Sequence, residues 1–166
     1  MARNYLFENI QILERSKSSV KRETVLIKDG AIKAYGKKAL KNAALAGIKP
    51  HKAKKMLLAP CLVDPHSFLE SPFSSKEEDI YTLIKKATSA GYGQLGILPR
   101  SNLWRDQIET ILSIKAIQSN VLIHLWGGYS LGGKGRDLSN HMNLLQNGAI
   151  GLADDDFMPP IELLKQ

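Results

Sequence analysis

The sequence predicts an α/β protein: a small all-β segment, then alternating strands and helices that build a parallel sheet. Three observations predict it. Near the start, Val25-Leu26-Ile27-Lys28, Asp29-Gly30 and Ala31-Ile32-Lys33-Ala34-Tyr35 make a β-hairpin signature, because Asp-Gly accepts the positive φ angles of a type I′ turn. From Met56 onward, short apolar runs alternate with stretches of helical period. The connections between them are short, which favours right-handed crossovers and parallel pairing.

The elements follow in order. Leu6 to Leu13 supplies a strand before the hairpin. A basic segment runs from Lys37 through Lys55, with Gly47, Pro50 and lysines at 49, 52, 54 and 55. It reads either as an anionic-partner patch or as a solvated loop and short helix. The second is favoured, because no aromatic residues interleave the charges to stack on bases. Met56-Leu57-Leu58 then leads through Ala59-Pro60 into Cys61-Leu62-Val63, an apolar run suited to a buried parallel strand. Ser75-x-x-Glu78 forms a capping box, and Glu77, Glu78 and Asp79 suit the positive end of a helix whose stripe is Ile80, Leu83, Ile84 and Ala87. Leu95 to Leu98 is the next strand. A helix over Arg105 to Gln118 presents Ile108, Ile111 and Leu112, and Val121 to Leu125 is a third strand. Leu138, Met142 and Leu145 mark a helix closing at Asn147-Gly148, and Ala149 to Leu152 is a strand ending at Asp154-Asp155-Asp156. The expected division is residues 1–56, strands and a basic loop, against 57–166, the alternating part.

Composition narrows the class. With 166 residues, 43% hydrophobic and 23% charged, the chain is long enough for one sizeable core and is not low-complexity. Its 23 Lys and Arg against 16 Asp and Glu give +7, which permits an acidic partner without demonstrating one. A single cysteine, Cys61, cannot form an intrachain disulfide, so a reducing cytoplasm is expected. The opening MARNYLFENIQIL has polar and charged residues where a signal peptide is apolar, and no run approaches the roughly 20 apolar residues of a membrane span.

A doubly wound sheet and a (β/α)8 barrel both begin with this order. No GxGxxG follows the first strand, which weakens the dinucleotide-binding version. Three strings carry a more specific resemblance. Ala59-Pro60-Cys61-Leu62-Val63-Asp64-Pro65-His66 is followed by Pro72 and Lys76-Glu77-Glu78-Asp79. Ala90-Gly91-Tyr92-Gly93 leads to Leu98-Pro99-Arg100-Ser101. Gly128-Tyr129-Ser130-Leu131-Gly132-Gly133-Lys134-Gly135 precedes Asn147-Gly148-Ala149-Ile150-Gly151-Leu152-Ala153-Asp154-Asp155-Asp156. In order and spacing they resemble the dihydroorotase branch of the amidohydrolase superfamily, whose patterns read A-P-G-L-V-D-x-H-x-H-x-R, M-P-N-T and F-S-D-D-G. The resemblance implies a truncated amidohydrolase-type (β/α)8 barrel of about four βα units, preceded by a small β-sandwich segment.

It also implies chemistry. In that family two histidines one residue apart at a strand end hold zinc, which polarises a cyclic amide and activates water. An Arg and an Asn bind the substrate carboxylate, and an aspartate of the D-D string bridges metals in one subgroup. Here His66 matches the first histidine, but Phe68 stands at the second, and a phenyl ring cannot ligate zinc. Glu70 occupies the arginine position and Arg100 the asparagine position, so the expectation is an ion pair between them in a remnant pocket. Asp154 or Asp155 matches the bridging aspartate; a remnant metal set would be His66, Asp154 and Asp155, and the alternative is a solvated turn. Zinc is expected to be lost and no catalytic residue is assigned.

Other candidates have plainer readings. Gly132-Gly133-Lys134-Gly135 lacks the Walker pattern and reads as a flexible loop. His124 and His141 have no spacing that pairs them and read as a strand-flank and a helix-surface residue. The function expected from the resemblance is a degenerate dihydroorotase-like protein of cytoplasmic pyrimidine biosynthesis, whose ancestral reaction interconverts dihydroorotate and N-carbamoyl-L-aspartate. The alternative is a non-catalytic scaffold for aspartate transcarbamoylase. Self-association or a partner would cover the parallel edges that about four barrel strands expose, and neither a membrane nor a nucleic acid is favoured as partner.

Overall fold

A computed structural model of the chain describes residues 4–13, 20–69, 79–100, 104–154 and 159–165. It contains two compact units that divide between Pro60 and Cys61.

The first unit is a mixed sheet with one helix. Strands β1 (Tyr5–Leu13), β2 (Val20–Lys28) and β3 (Ala31–Tyr35) pair antiparallel in sequence order. The hairpin turn is as its residues dictate, with Asp29 at φ 53° and Gly30 at φ 72°. Helix α1 (Gly36–Leu45) follows, and β4 (Pro50–Lys52) and β5 (Leu57–Leu58) both add to β1 in parallel. Part of the basic segment is therefore helical. Ala39 and Ala43, one turn apart, are fully buried with Leu6, Leu26 and Ala34, while Lys37, Lys38 and Lys41 are exposed. The helix ends where Gly47 takes φ 64° and Ile48 N–H donates to the Ala43 carbonyl, which satisfies a terminal acceptor.

A bulge decides which side of β1 is apolar. Leu6, Ile10 and Ile12 share parity and would line one face of a regular strand. Between Phe7 and Ile10, however, β1 holds one residue more than β2, with Asn9 at φ 58°. Leu6 therefore packs under α1, whereas Ile10 and Ile12 join Val25 and Ala53 in a separate cluster.

The second unit alternates strand and helix: β6 (Leu62–Ser67), α2 (Ile80–Ser89), β7 (Tyr92–Ile97), α3 (Ile108–Lys115), β8 (Leu122–Gly128), α4 (His141–Gln146), β9 (Ala149–Ala153) and the short α5 (Ile161–Leu164). The four strands lie in the order β6-β7-β8-β9, all parallel. The core unites Leu95, Ile97, Leu125 and Ala149 of the sheet with Ile80 and Ala87 of α2, Ile111 and Ile114 of α3, and Leu144 of α4. The opposite face carries the registered row Val63–Gln94–Leu122, in which Val63 is 54% and Leu122 61% exposed.

Several expectations change. Leu57-Leu58 was expected to lead into the first parallel strand, yet it pairs with β1 and belongs to the first unit. The strand that follows is an exposed edge rather than a buried one, because among the described residues it has a neighbour only in β7. The Ser75–Glu78 capping box lies outside the described residues, and α2 starts at Ile80 with Asp79 Oδ1 accepting from Thr82 N–H at 2.7 Å. Helix α3 is shorter than 105–118 at both ends, and Arg105, ahead of it, is buried. Its buried face is Ile111 and Ile114, with Leu112 exposed. In α4 the buried residue is Leu144, whereas Met142 and Leu145 are exposed. No described helix is long and apolar enough to cross a membrane.

Candidate functional site

Side chains that meet at the carboxyl ends of parallel strands are where α/β sheets place ligands. On β6 the strand is kinked between Asp64 and Ser67. Asp64 holds the kink, accepting from His66 N–H at 3.0 Å and from Ser67 Oγ at 2.6 Å. Gly96 on β7 permits it, because a Cβ there would lie 2.4 Å from the Pro65 carbonyl oxygen. Trp126 on β8 donates its indole N–H to that oxygen at 3.1 Å, and its ring lies 5.9 Å from the exposed His66 ring. His66 is thus displayed beside an indole.

Phe68 follows β6 and is 53% exposed. The Arg100 guanidinium, three residues past β7, sits 5.2 Å from the centroid of its ring. The structure therefore joins two of the residues singled out by sequence, Phe68 and Arg100. Glu70, the partner expected for Arg100, lies outside the described residues, as does Asp155.

Asp154 follows β9 and binds the loop after β8. Its Oδ1 accepts from the N–H groups of Tyr129 at 3.1 Å and Ser130 at 2.9 Å, and its Oδ2 accepts from the Ser130 hydroxyl. Both carboxylate oxygens are engaged by a neighbouring loop. The glycine string in that loop is a tight, packed turn. Gly132 N–H donates to Asp106 Oδ2 and Gly135 N–H to Ser130 Oγ, both at 2.8 Å, so these donors are not turned toward a phosphate. Trp104 lies against Gly128 and Gly133 and donates its indole N–H to the Ser130 carbonyl at 3.2 Å.

His124 Nε2 lies 3.0 Å from Gln94 Oε1 across β7 and β8, and His141 Nε2 lies 2.7 Å from the Tyr129 carbonyl, so neither ring approaches His66 by hydrogen bonding. Cys61 is exposed, and the Gly93 backbone packs so closely on it that a Cβ would meet its Sγ at 2.5 Å.

Sequence reasoning missed Arg105. It is 1% exposed, with Nε donating to the Trp126 carbonyl at 3.1 Å and Nη2 reaching the Ile97 carbonyl at 3.4 Å. Burial pushes its pKa down to about 10, which leaves it a cation at neutral pH. One signal was present: a cation at the start of an expected helix opposes the macrodipole.

No protein-family model matches the chain. Among known proteins it is 30% identical over 154 residues to the dihydroorotase of Elusimicrobium minutum, covering 91% of this chain and 35% of that protein. It is 25% identical, over a gapped alignment of 181 positions, to a probable dihydroorotase-like protein of Synechocystis, covering 95% and 41%. The chain is similar in sequence to dihydroorotases. It spans about a third of the length of the dihydroorotases it matches. Among solved structures, the L-hydantoinase (dihydropyrimidinase) of Arthrobacter aurescens superposes with a TM-score of 0.59 over 90% of this chain and 32% of that one, at 15% identity, a likeness of fold.

Among the described residues, those that the resemblance puts at zinc-binding positions do not together make a zinc donor set. Phe68, where the resemblance puts the second histidine, has no lone pair to offer a metal, and both oxygens of Asp154 accept hydrogen bonds from Tyr129 and Ser130. Among the described residues no three His, Cys, Asp or Glu side chains converge to hold a metal ion.

Proposed function

We propose that this dihydroorotase-like chain belongs to pyrimidine biosynthesis in the cytoplasm and does not itself turn over dihydroorotate. The observation that carries the reading is the Arg100 guanidinium lying over the Phe68 ring, a cation and a phenyl group where the related enzymes have an asparagine and a zinc-binding histidine. Hydrolysis of a cyclic amide needs a polarised carbonyl and an activated water, and neither residue supplies them. In this reading the four βα units are part of an amidohydrolase barrel, residues 1–60 are the beginning of its β-sandwich, and the edges of β6 and β9 are covered by self-association or by a partner. A scaffold role toward aspartate transcarbamoylase is the matching non-catalytic function.

The test has three parts. Purified protein is assayed for zinc, for dihydroorotate hydrolysis, and for co-migration with aspartate transcarbamoylase. Far less than one equivalent of zinc, no turnover, and co-migration are the expected results. One or two equivalents of zinc with turnover would overturn the proposal. A Phe68→His/Glu70→Arg/Arg100→Asn variant should bind more zinc than the parent.

A further inference from the structure

Charge is divided unevenly along the chain. Residues 1–60 hold 14 Lys and Arg against 4 Asp and Glu, a net +10, whereas residues 61–166 hold 9 against 12, a net −3. The fold gathers much of the first unit's charge on one face of its sheet, the face that carries α1.

Ala39 and Ala43 point from α1 into the sheet, so Lys37, Lys41 and Leu45, spaced four apart, form the crest of the helix, with Lys38 beside them. All four are exposed, Leu45 to 80%. A groove runs along each flank. On the side of β1 and β4 it is lined by Leu6, Leu40, Ala44, Ile48 and Lys49 together with Glu8, which stands in register with Lys52. On the side of β2 and β3 it is lined by Leu26, Asn42 and Leu45 with Lys28 and Lys33. Exposed lysines on the crest and along both flanks thus surround the exposed Leu40 and Leu45, and Glu8 is the acidic residue among those lining the two grooves. The stacked rings of Tyr5 and Phe7, with His51, lie on the other face of the sheet.

We propose that the α1 face of the first unit docks on an anionic membrane surface, with its lysines at the lipid headgroups and Leu45 entering the boundary between headgroups and acyl chains. This does not rest on the metabolic reading above. Charge complementarity calls for a polyanion, and the layout of the patch says which. The cations are spread over a helix crest and both of its flanks, so a peptide lying in one groove reaches only a few of them, and on the side of β1 and β4 it meets Glu8. A broad anionic surface reaches them together, and each lysine near it favours the bound state by roughly five-fold. A soluble polyanion would use the lysines and leave Leu45 without a role, whereas an interfacial helix buries its apolar side chains.

Co-sedimentation of the full chain with large vesicles tests it. Phosphatidylcholine vesicles holding about 30% phosphatidylserine should take up the chain at about 100 mM salt and release it at about 500 mM, and pure phosphatidylcholine vesicles should not take it up. Lys37→Glu/Lys38→Glu/Lys41→Glu should weaken uptake at least about 100-fold, from roughly five-fold for each lysine removed. Leu45→Ser, an exposed change, should weaken it about 3- to 10-fold and leave the salt dependence as it was. Lys85→Glu/Lys165→Glu, on the second unit, should not alter it, and far-UV circular dichroism should be the same for every variant. No uptake at about 100 mM salt, equal uptake by pure phosphatidylcholine vesicles, or indifference to Leu45→Ser would each overturn the proposal. So would polyglutamate or RNA binding as tightly as the vesicles, which would make an acidic peptide or a nucleic acid the occupant.

Discussion

At the scale of single residues, two arginines near the strand ends do different work. Arg100 is exposed and lies over an exposed ring, so the Phe68 contact is worth about 0.5–1 kcal/mol by the usual range for solvated cation–π pairs. A double-mutant cycle with Phe68→Leu and Arg100→Gln, followed by urea unfolding, should return a coupling of that size. Absence of coupling would remove the pair as a feature of the site. Arg105 is buried, and its planar fork supplies hydrogen bonds to carbonyls at the ends of two neighbouring strands. Arg105→Ala leaves those acceptors without a partner and opens a void. Urea midpoints should show a loss of about 2–4 kcal/mol, and Arg105→Lys, which keeps the charge but not the fork, should recover only part of it.

Elements are set by caps and turns whose costs differ with their surroundings. Asp79 caps α2 by accepting from Thr82 N–H, and that backbone hydrogen bond is the largest of the causes that hold its carboxyl below the ordinary value of 3.8. Because the folded pKa is the lower one, the carboxylate's contribution is complete above pH 3.8 and is lost as pH falls through the folded value. Thermal midpoints measured from neutral to acid pH should therefore fall less steeply for Asp79→Asn, which keeps an acceptor without the titration, than for the parent. Glycines offer a second comparison. Gly47 and Gly133 both have positive φ, but a Cβ at Gly47 meets nothing, whereas at Gly133 it would lie 2.5 Å from the Trp104 ring. Gly47→Ala should cost about 1 kcal/mol and Gly133→Ala distinctly more, since the loop on Trp104 has to move.

For the molecule as a whole, the sheet of the second unit is well covered on its helical face and open on the other. Val63 and Leu122 stand in the exposed row that crosses β6, β7 and β8, and β6 and β9 are edges among the described residues. Exposed parallel edges beside apolar side chains are association surfaces. If self-association covers them, sedimentation of the purified chain should show species larger than a monomer. A Val63→Lys/Leu122→Lys variant should shift the distribution toward monomer with its unfolding transition retained. A monomeric parent would leave a different partner to cover that face.

What the sequence determined by itself is what near neighbours decide. Asp29-Gly30 specifies its turn, the stripe from Ile80 to Ala87 specifies the inner face of α2, and the alternation of runs after residue 60 specifies the order of strands and helices, because each depends on contacts two to four residues apart. Phe68, at the position where the resemblance implies a metal-binding histidine, is a reading of residue type alone. Tertiary structure alone decided the rest. The bulge at Asn9 reverses the buried face of β1, and Arg105, expected at the start of a helix, is buried ahead of it. Asp154 closes on a loop 24 residues away, and Tyr5 and Phe7 meet His51 from the far end of the first unit. Such pairings carry no periodic signal along the chain; they form only when strands distant in sequence come into register.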